Sequence, residues 1–257
     1  MIYDCFLFSN ELDILEIRLN ELSDIVDKFV ILESETTTSG LSKRLYFNEN
    51  RERFKQFSDK IIHNIYKCPT NSKDAWVREE ASRNMIKEVL GVVKDDDIVI
   101  IADADEITNP TAIQSYDPKT SIIGRTLVQK LFYYRLNCFC PSYIWGWAKI
   151  VLGKTYNEMT PQQIRYSRML NLKDGGWHFS FIGSAEMIAN KIKAFAHQEY
   201  NRPDIINTEY IKKCMDAPKD IFNRPEIILQ NISIDSTFPT YIQNNVENYI
   251  KAGLIKL

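Results

Sequence analysis

Short apolar runs alternate with amphipathic stretches through the first hundred residues. Ile2 to Phe8 reads as a strand. Leu12, Leu15, Leu19 and Leu22 follow at the spacing of a helix with one apolar face. Asn10 stands where an N-cap belongs, with Glu11 and Asp13 in the first turn, where the helix dipole favours acids. Phe29 to Glu33 reads as a second strand and Lys60 to Tyr66 as a third. A helix over Ala75 to Val93 carries Ala81, Met85, Val89, Val92 and Val93 along one side. Asp97 to Ala102 is a fourth strand, apolar on both faces as buried parallel strands are. This alternation predicts an α/β fold, a mainly parallel, doubly wound sheet flanked by helices.

The second half is less regular. Ser121 to Cys140 reads as two strands or one long bent one, Trp145 to Leu152 as another, and Ala185 to His197 as a helix. Beyond Tyr200 the prolines Pro203, Pro218, Pro225 and Pro239 interrupt any pattern and predict an irregular C-terminal extension. Residues 1–199 are therefore expected to form one domain, with residues 200–257 packing on it.

Composition narrows the partners. A formal net charge of -2 gives no footprint for nucleic acid or an anionic membrane, and phosphate binding is expected to be local rather than through a basic cradle. The five cysteines have no zinc-like spacing and read as reduced, mostly buried thiols. No apolar run approaches the roughly 20 residues that span a bilayer, and no targeting segment is visible, so a cytoplasmic microbial or viral enzyme is expected.

In parallel α/β sheets ligands bind beyond the carboxyl ends of the strands, so the chemistry is sought there. The clearest signal is Asp97-Ile-Val-Ile-Ile-Ala-Asp103-Ala-Asp105-Glu106, in which an apolar strand delivers carboxylates to the sheet edge. Mn²⁺ or Mg²⁺ takes one or two carboxylates plus substrate phosphates, and a bound cation stabilises a departing diphosphate. The alternative is that these acids only cap the next helix. Arg78 falls inside the apolar stripe of its helix, where it either reaches a nucleotide or forms a structural ion pair. Asp174-Gly-Gly-Trp177-His178 combines flexible backbone, an aromatic ring and one of three histidines. Trp145-Gly-Trp147 reads equally as a sugar-stacking platform or as core. A sugar-nucleotide nucleotidyltransferase and an Asp-x-Asp phosphohydrolase share the sheet; the first typically has a glycine-rich basic loop after its first strand, and the second typically carries its acids on that strand.

The opening Ile2-Tyr-Asp-Cys-Phe and Asn10-Glu-Leu-Asp-Ile-Leu-Glu-Ile-Arg-Leu-Asn-Glu-Leu resemble the family-17 glycosyltransferases. Phe29-Val-Ile-Leu-Glu-Ser, Asp103-Ala-Asp-Glu-Ile, Gly176-Trp-His-Phe-Ser and Phe195-Ala-His-Gln-Glu follow in the expected order. The resemblance implies a GT-A fold and an inverting, metal-dependent transfer from a UDP-sugar, with N-acetylglucosamine or glucose as the sugar and a glycan or oligosaccharide as acceptor. On that reading Asp105 binds the metal, Asp103 contacts the metal or the ribose, and His178 adds a metal or phosphate contact. Asn10, Glu11, Glu33, Arg78 and Trp177 are expected around the donor. Asp174 is expected to be the catalytic base, ahead of Glu186 and Glu199.

Overall fold

The computed structural model describes residues 1–120 and 123–256. The first half runs β1 (Ile2–Phe8), α1 (Leu12–Leu22), β2 (Lys28–Ser34), α2 (Tyr46–Glu49), β3 (Ile61–Tyr66), α3 (Ala75–Leu90) and β4 (Ile98–Asp103). β3, β2, β1 and β4 lie side by side, all parallel. Here the alternation in the sequence is the architecture. α3 stops three residues early because Gly91, at φ +68°, turns the chain out of the helix. Its buried face carries Ser82, Arg83 and Ile86, so it is rotated from the expected stripe, and Val92 is left exposed.

The second half comprises β5 (Glu106–Thr108), α4 (Pro110–Ser115), β6 (Arg125–Tyr133), β7 (Cys138–Trp145), β8 (Lys149–Leu152), α5 (Gly153–Glu158), α6 (Pro161–Tyr166), β9 (Leu170–Ser180) and α7 (Ala185–Ala194). The tail adds α8 (Thr208–Asp216), β10 (Gln230–Asn231), α9 (Thr240–Asn244) and α10 (Val246–Lys251). One ten-stranded sheet results. The four strands of the first half are all parallel; in the second half β8 joins β4 antiparallel, β6 and β7 continue antiparallel beyond it, and β9 runs parallel to β6. The strand expected from Ser121 begins at Arg125, Ser121 and Ile122 lying outside the described residues. The tail is part of the same body. Ile211, Cys214, Ile221 and Leu229 share a core with Leu131, Tyr133 and Ile188, while Phe238, Ile242 and Leu254 close the core over α1. Among the described residues no helix is long and apolar enough to cross a membrane.

One charge sits where the pattern forbids it. Arg18 lies on the apolar face of α1 and is fully buried. Its Nε and Nη2 donate to both oxygens of Asp4, at 2.7 and 2.6 Å. Asp4 itself is a buried acid in the middle of β1. The remaining nitrogen, Nη1, donates to the carbonyls of Asp103, Ala104 and Glu106 at 2.7, 3.1 and 3.0 Å. These carbonyls form the tight turn between β4 and β5, so Arg18 fastens that turn to the sheet from below. A buried pair broken on one side leaves an uncompensated charge at a cost of about 3–5 kcal/mol. Arg18→Met is therefore expected to lower unfolding free energy by about that amount in urea. The double variant Asp4→Leu/Arg18→Met should lose less than the two single losses added together, because no charge is then stranded.

Candidate active site

The β4–β5 turn presents three acids within four residues, and each is matched differently. His178 is brought to the turn by the pairing of β9 with β5, in which Glu106 stands opposite His178. The Phe179 amide donates to the Asp105 carbonyl at 2.8 Å and fixes the alignment. His178 Nε2 then lies 3.4 Å from Asp105 Oδ1. From α7, Lys191 Nζ reaches Asp105 Oδ2 at 2.6 Å and Glu11 Oε1 at 3.3 Å. Burial opposes the charge on Asp105, but Lys191 and then His178 outweigh it and hold the carboxyl far below its usual range. Burial likewise opposes the charge on Lys191, and Asp105 and Glu11 keep it protonated.

Asp103 and Glu106 share a second set of cations. Arg165 of α6 is buried and places Nη1 2.8 Å from Glu106 Oε2 and Nη2 2.6 Å from Asp103 Oδ2. Arg83 of α3 reaches the other Asp103 oxygen at 3.2 Å. The Trp145 indole N–H donates to Glu106 Oε1 at 2.5 Å, and the Trp145 ring packs on His178 with centroids 4.1 Å apart. Glu106 is fully buried and, against that burial, Arg165 holds it ionised. The Asp103 side chain stays 36% exposed at the rim. Desolvation, working against Arg165 and helped by the Glu106 charge, lifts its carboxyl above the usual range.

These groups floor a cleft of about 590 Å³. Ser34, Thr36, Thr37 and Thr38 wall the side beyond β1 and β2; Trp147 and Tyr166 stand on the side of β8 and α6; Tyr200, Phe222 and Arg224 come from the tail. The tail thus contributes to the cleft as well as to the core. Lys43, Arg83, Arg165, Lys191 and Arg224 all line it, so a cationic lining exists after all. Arg83 stands on the opposite side of its helix from the expected apolar stripe and so carried no signal. Lys191 lies on the expected helix α7 and Arg165 on the short α6, and neither position by itself points to the cleft.

The sequence-derived candidates divide. Asn10, Glu11, Asp103, Asp105 and His178 line the cleft. The helix cap, however, is at Glu11, whose own carboxylate accepts the amides of Ser9 and Asn10 at 3.3 and 2.9 Å. Glu33 is not at the cleft surface. It caps α2, accepting the Phe47 and Asn48 amides at 2.9 and 3.1 Å, with His63 Nε2 at 3.2 Å. Arg78 packs on Gly40 and donates to the carbonyls of Thr38 and Ser72, bracing the loop that forms the cleft wall. Trp177 alternates with His178 along β9 and so points into the core, its indole donating to the Thr237 carbonyl at 2.9 Å.

Asp174 is exposed and outside the cleft lining, at φ +51° beside the irregularity where β9 shifts register on β6. The glycines after it serve packing. A Cβ on Gly175 would lie 2.6 Å from the Val128 amide, and one on Gly176 would collide with the Ile107 carbonyl. Glu186 and Glu199 are also exposed and absent from the lining.

Among the described residues no three His, Cys, Asp or Glu side chains converge as a closed metal cage. Asp105 and His178 do converge, which suits a hard cation taking its other ligands from phosphate and water. Asp103 is already held between Arg83 and Arg165.

The Glu33 assignment can be checked directly. Against burial, His63 and the two amides hold its carboxyl below the ordinary 4.5. Glu33→Gln is therefore expected to cost about 1–3 kcal/mol near neutral pH, read by urea unfolding. A depressed carboxyl contributes stability above its unfolded pKa and loses it on protonation, so the wild-type advantage should fade as pH falls below about 4.5.

Curated relatives are similar over part of the chain. The human and rat β-1,4-mannosyl-glycoprotein 4-β-N-acetylglucosaminyltransferases are each 32% identical over 107 residues, and the mouse protein is 31% identical over the same length. The match spans 38% of this chain and about a fifth (20%) of each relative. Among solved structures, an active-site mutant of LgtC aligns at 12% identity and TM-score 0.34, over 72% of this chain and 73% of that one. Galactosyltransferase LgtC with donor and acceptor sugar analogues aligns at 10% identity and TM-score 0.35, over 99% and 97%. The family model of glycosyltransferase family 17 matches residues 1–230, which take in the β4–β5 turn and every residue of the cleft lining named above, and the chain belongs to that family.

Proposed function

We propose that the cleft above the β4–β5 turn transfers a sugar from a UDP-sugar to a glycan or oligosaccharide acceptor with inversion at the anomeric carbon. The observation that carries this reading is the convergence of Asp105, His178 and Lys191 at the carboxyl edge of a parallel sheet in a family-17 glycosyltransferase. The nucleoside is assigned to the exits of β1 and β2, beside Asn10 and the Ser34–Thr38 wall, following the general rule for such sheets. Asp105 and His178 would hold Mn²⁺ or Mg²⁺, which when bound offsets the charge of the departing diphosphate. Lys191, kept protonated next to them, presents a second positive charge to the same phosphates. Asp103 at the rim is placed to accept hydrogen bonds from donor hydroxyls.

The acceptor hydroxyl must give up a proton to a positioned base. Asp174 does not face the cleft, so that role passes to a carboxylate that does. Glu11 is engaged by two amides and Asp105 by two cationic partners. Asp103 is held by Arg83 and Arg165 in the same way, so the role is assigned to Glu79, which lines the cleft and pairs with Arg83 at 2.9 Å. N-acetylglucosamine and glucose are the sugars this reading favours, through the family resemblance alone.

Asp105→Asn preserves shape while removing the charge. Transfer, measured as UDP release with Mn²⁺ present, is expected to fall at least ~10²-fold, and the gain in UDP affinity on adding Mn²⁺ should disappear in calorimetry. Undiminished UDP release by the variant after chelator treatment would sink the assignment.

A further inference from the structure

The cleft has two aromatic groups, on opposite sides. On the side of the β2 loop, Trp76 meets His197 edge-on at 4.5 Å and Tyr200 packs on Phe222 at 4.1 Å. Trp76 is 40% exposed, so the two groups are told apart by their side of the cleft. On the side of β8, Trp147 and Tyr166 meet at 5.1 Å with their planes at 61°, forming an open corner. Trp147 is 37% and Tyr166 52% exposed, and both line the cleft. The neighbouring Trp145 has no such freedom, since its ring is packed on His178 and its N–H is given to Glu106.

We propose that Trp147 and Tyr166 are the platform on which a neutral pyranose ring of the acceptor stacks. The proposal rests on reading the cleft as a sugar-transfer site. One assignment and two observations carry it. With the nucleoside assigned to the exits of β1 and β2, the β8 side is left for the second substrate. The corner is held rigidly: buried Lys149 donates to the carbonyls of Gly146 and Trp147 at 3.0 and 3.2 Å, fixing the turn that carries the indole. Tyr166 directly follows Arg165, the residue that grips Asp103 and Glu106, so the platform is tied in register to the reacting carboxylates. Large exposed rings of this kind offer an apolar face to the C–H face of a sugar, while the carboxylates and arginines beside them take its hydroxyls.

The test separates acceptor from donor. Saturation-transfer NMR with chitotriose, mannotriose and cellotriose at up to about 20 mM reads the platform, and calorimetry with UDP and Mn²⁺ reads the donor side. At least one trisaccharide is expected to bind the wild-type protein. Trp147→Ala and Tyr166→Ala should each weaken it roughly 10-fold, and Trp147→Phe should restore most of the loss. UDP affinity should stay at its wild-type value, because neither side chain lies on the side assigned to the nucleoside. Binding of none of the three to wild type, trisaccharide binding unchanged in both alanine variants, or a loss of UDP affinity in step with trisaccharide affinity would each overturn the proposal. Failure of UDP to bind the wild-type protein would count against the transfer reading instead, and the two failures are read by different ligands.

Discussion

The Arg18 guanidinium is the constraint on which the site depends. A turn that carries three acids at the end of a buried strand also presents carbonyls inward, toward the buried Arg18. Arg18 takes three of them and hands its remaining charge to Asp4 in β1. Both side chains are fully buried, so neither can relax into solvent if the other is lost. The helix face, the first strand and the β4–β5 turn are thereby locked into one unit, and α1 cannot slide on the sheet without unsatisfying the turn.

Above that anchor the problem is repulsion. Two carboxylates about 4 Å apart repel by roughly 4 kcal/mol at an effective dielectric constant of 20, and the turn carries three acids in four residues. The fold answers with cations from three different helices: Arg83 from α3, Arg165 from α6 and Lys191 from α7. The two lattices divide the work. Asp103 and Glu106 with their arginines form a rigid floor. Asp105 has one oxygen on Lys191 and the other facing His178. The three helices are held together by the acids they neutralise, so the charges that stabilise the cleft also set its shape.

What the sequence made legible follows from where periodicity is strong. The four parallel strands are buried on both faces and announce themselves, and with them the exits at Asp103 and Asp105. His178 was found through its glycines, although those glycines turn out to answer strand packing against Ile107 and Val128. Glu33 and Trp177 were misplaced because sequence position at a strand end or beside a histidine does not say which way a side chain points. Strand alternation sends Trp177 into the core, and the loop after β2 folds back so that Glu33 caps a helix. Arg165, Lys191 and Arg224 were missed because tertiary contacts bring them to the cleft, Lys191 from the regular helix α7 and the other two from a six-residue helix and the tail. Asp4 and Arg18 were visible as charges inside apolar patterns, fourteen positions apart, but their shared duty toward the β4–β5 turn appears only when the turn is in place.

The central claim is that the turn fastened by Arg18 is the donor-diphosphate site. A crystal structure of the complex with UDP and Mn²⁺, with data collected at the manganese absorption edge, tests it most directly. The account predicts an anomalous peak between Asp105 and His178, the diphosphate beside Lys191 and the uracil against the Ser34–Thr38 wall. A peak away from Asp105, or UDP seated outside the cleft, would contradict it.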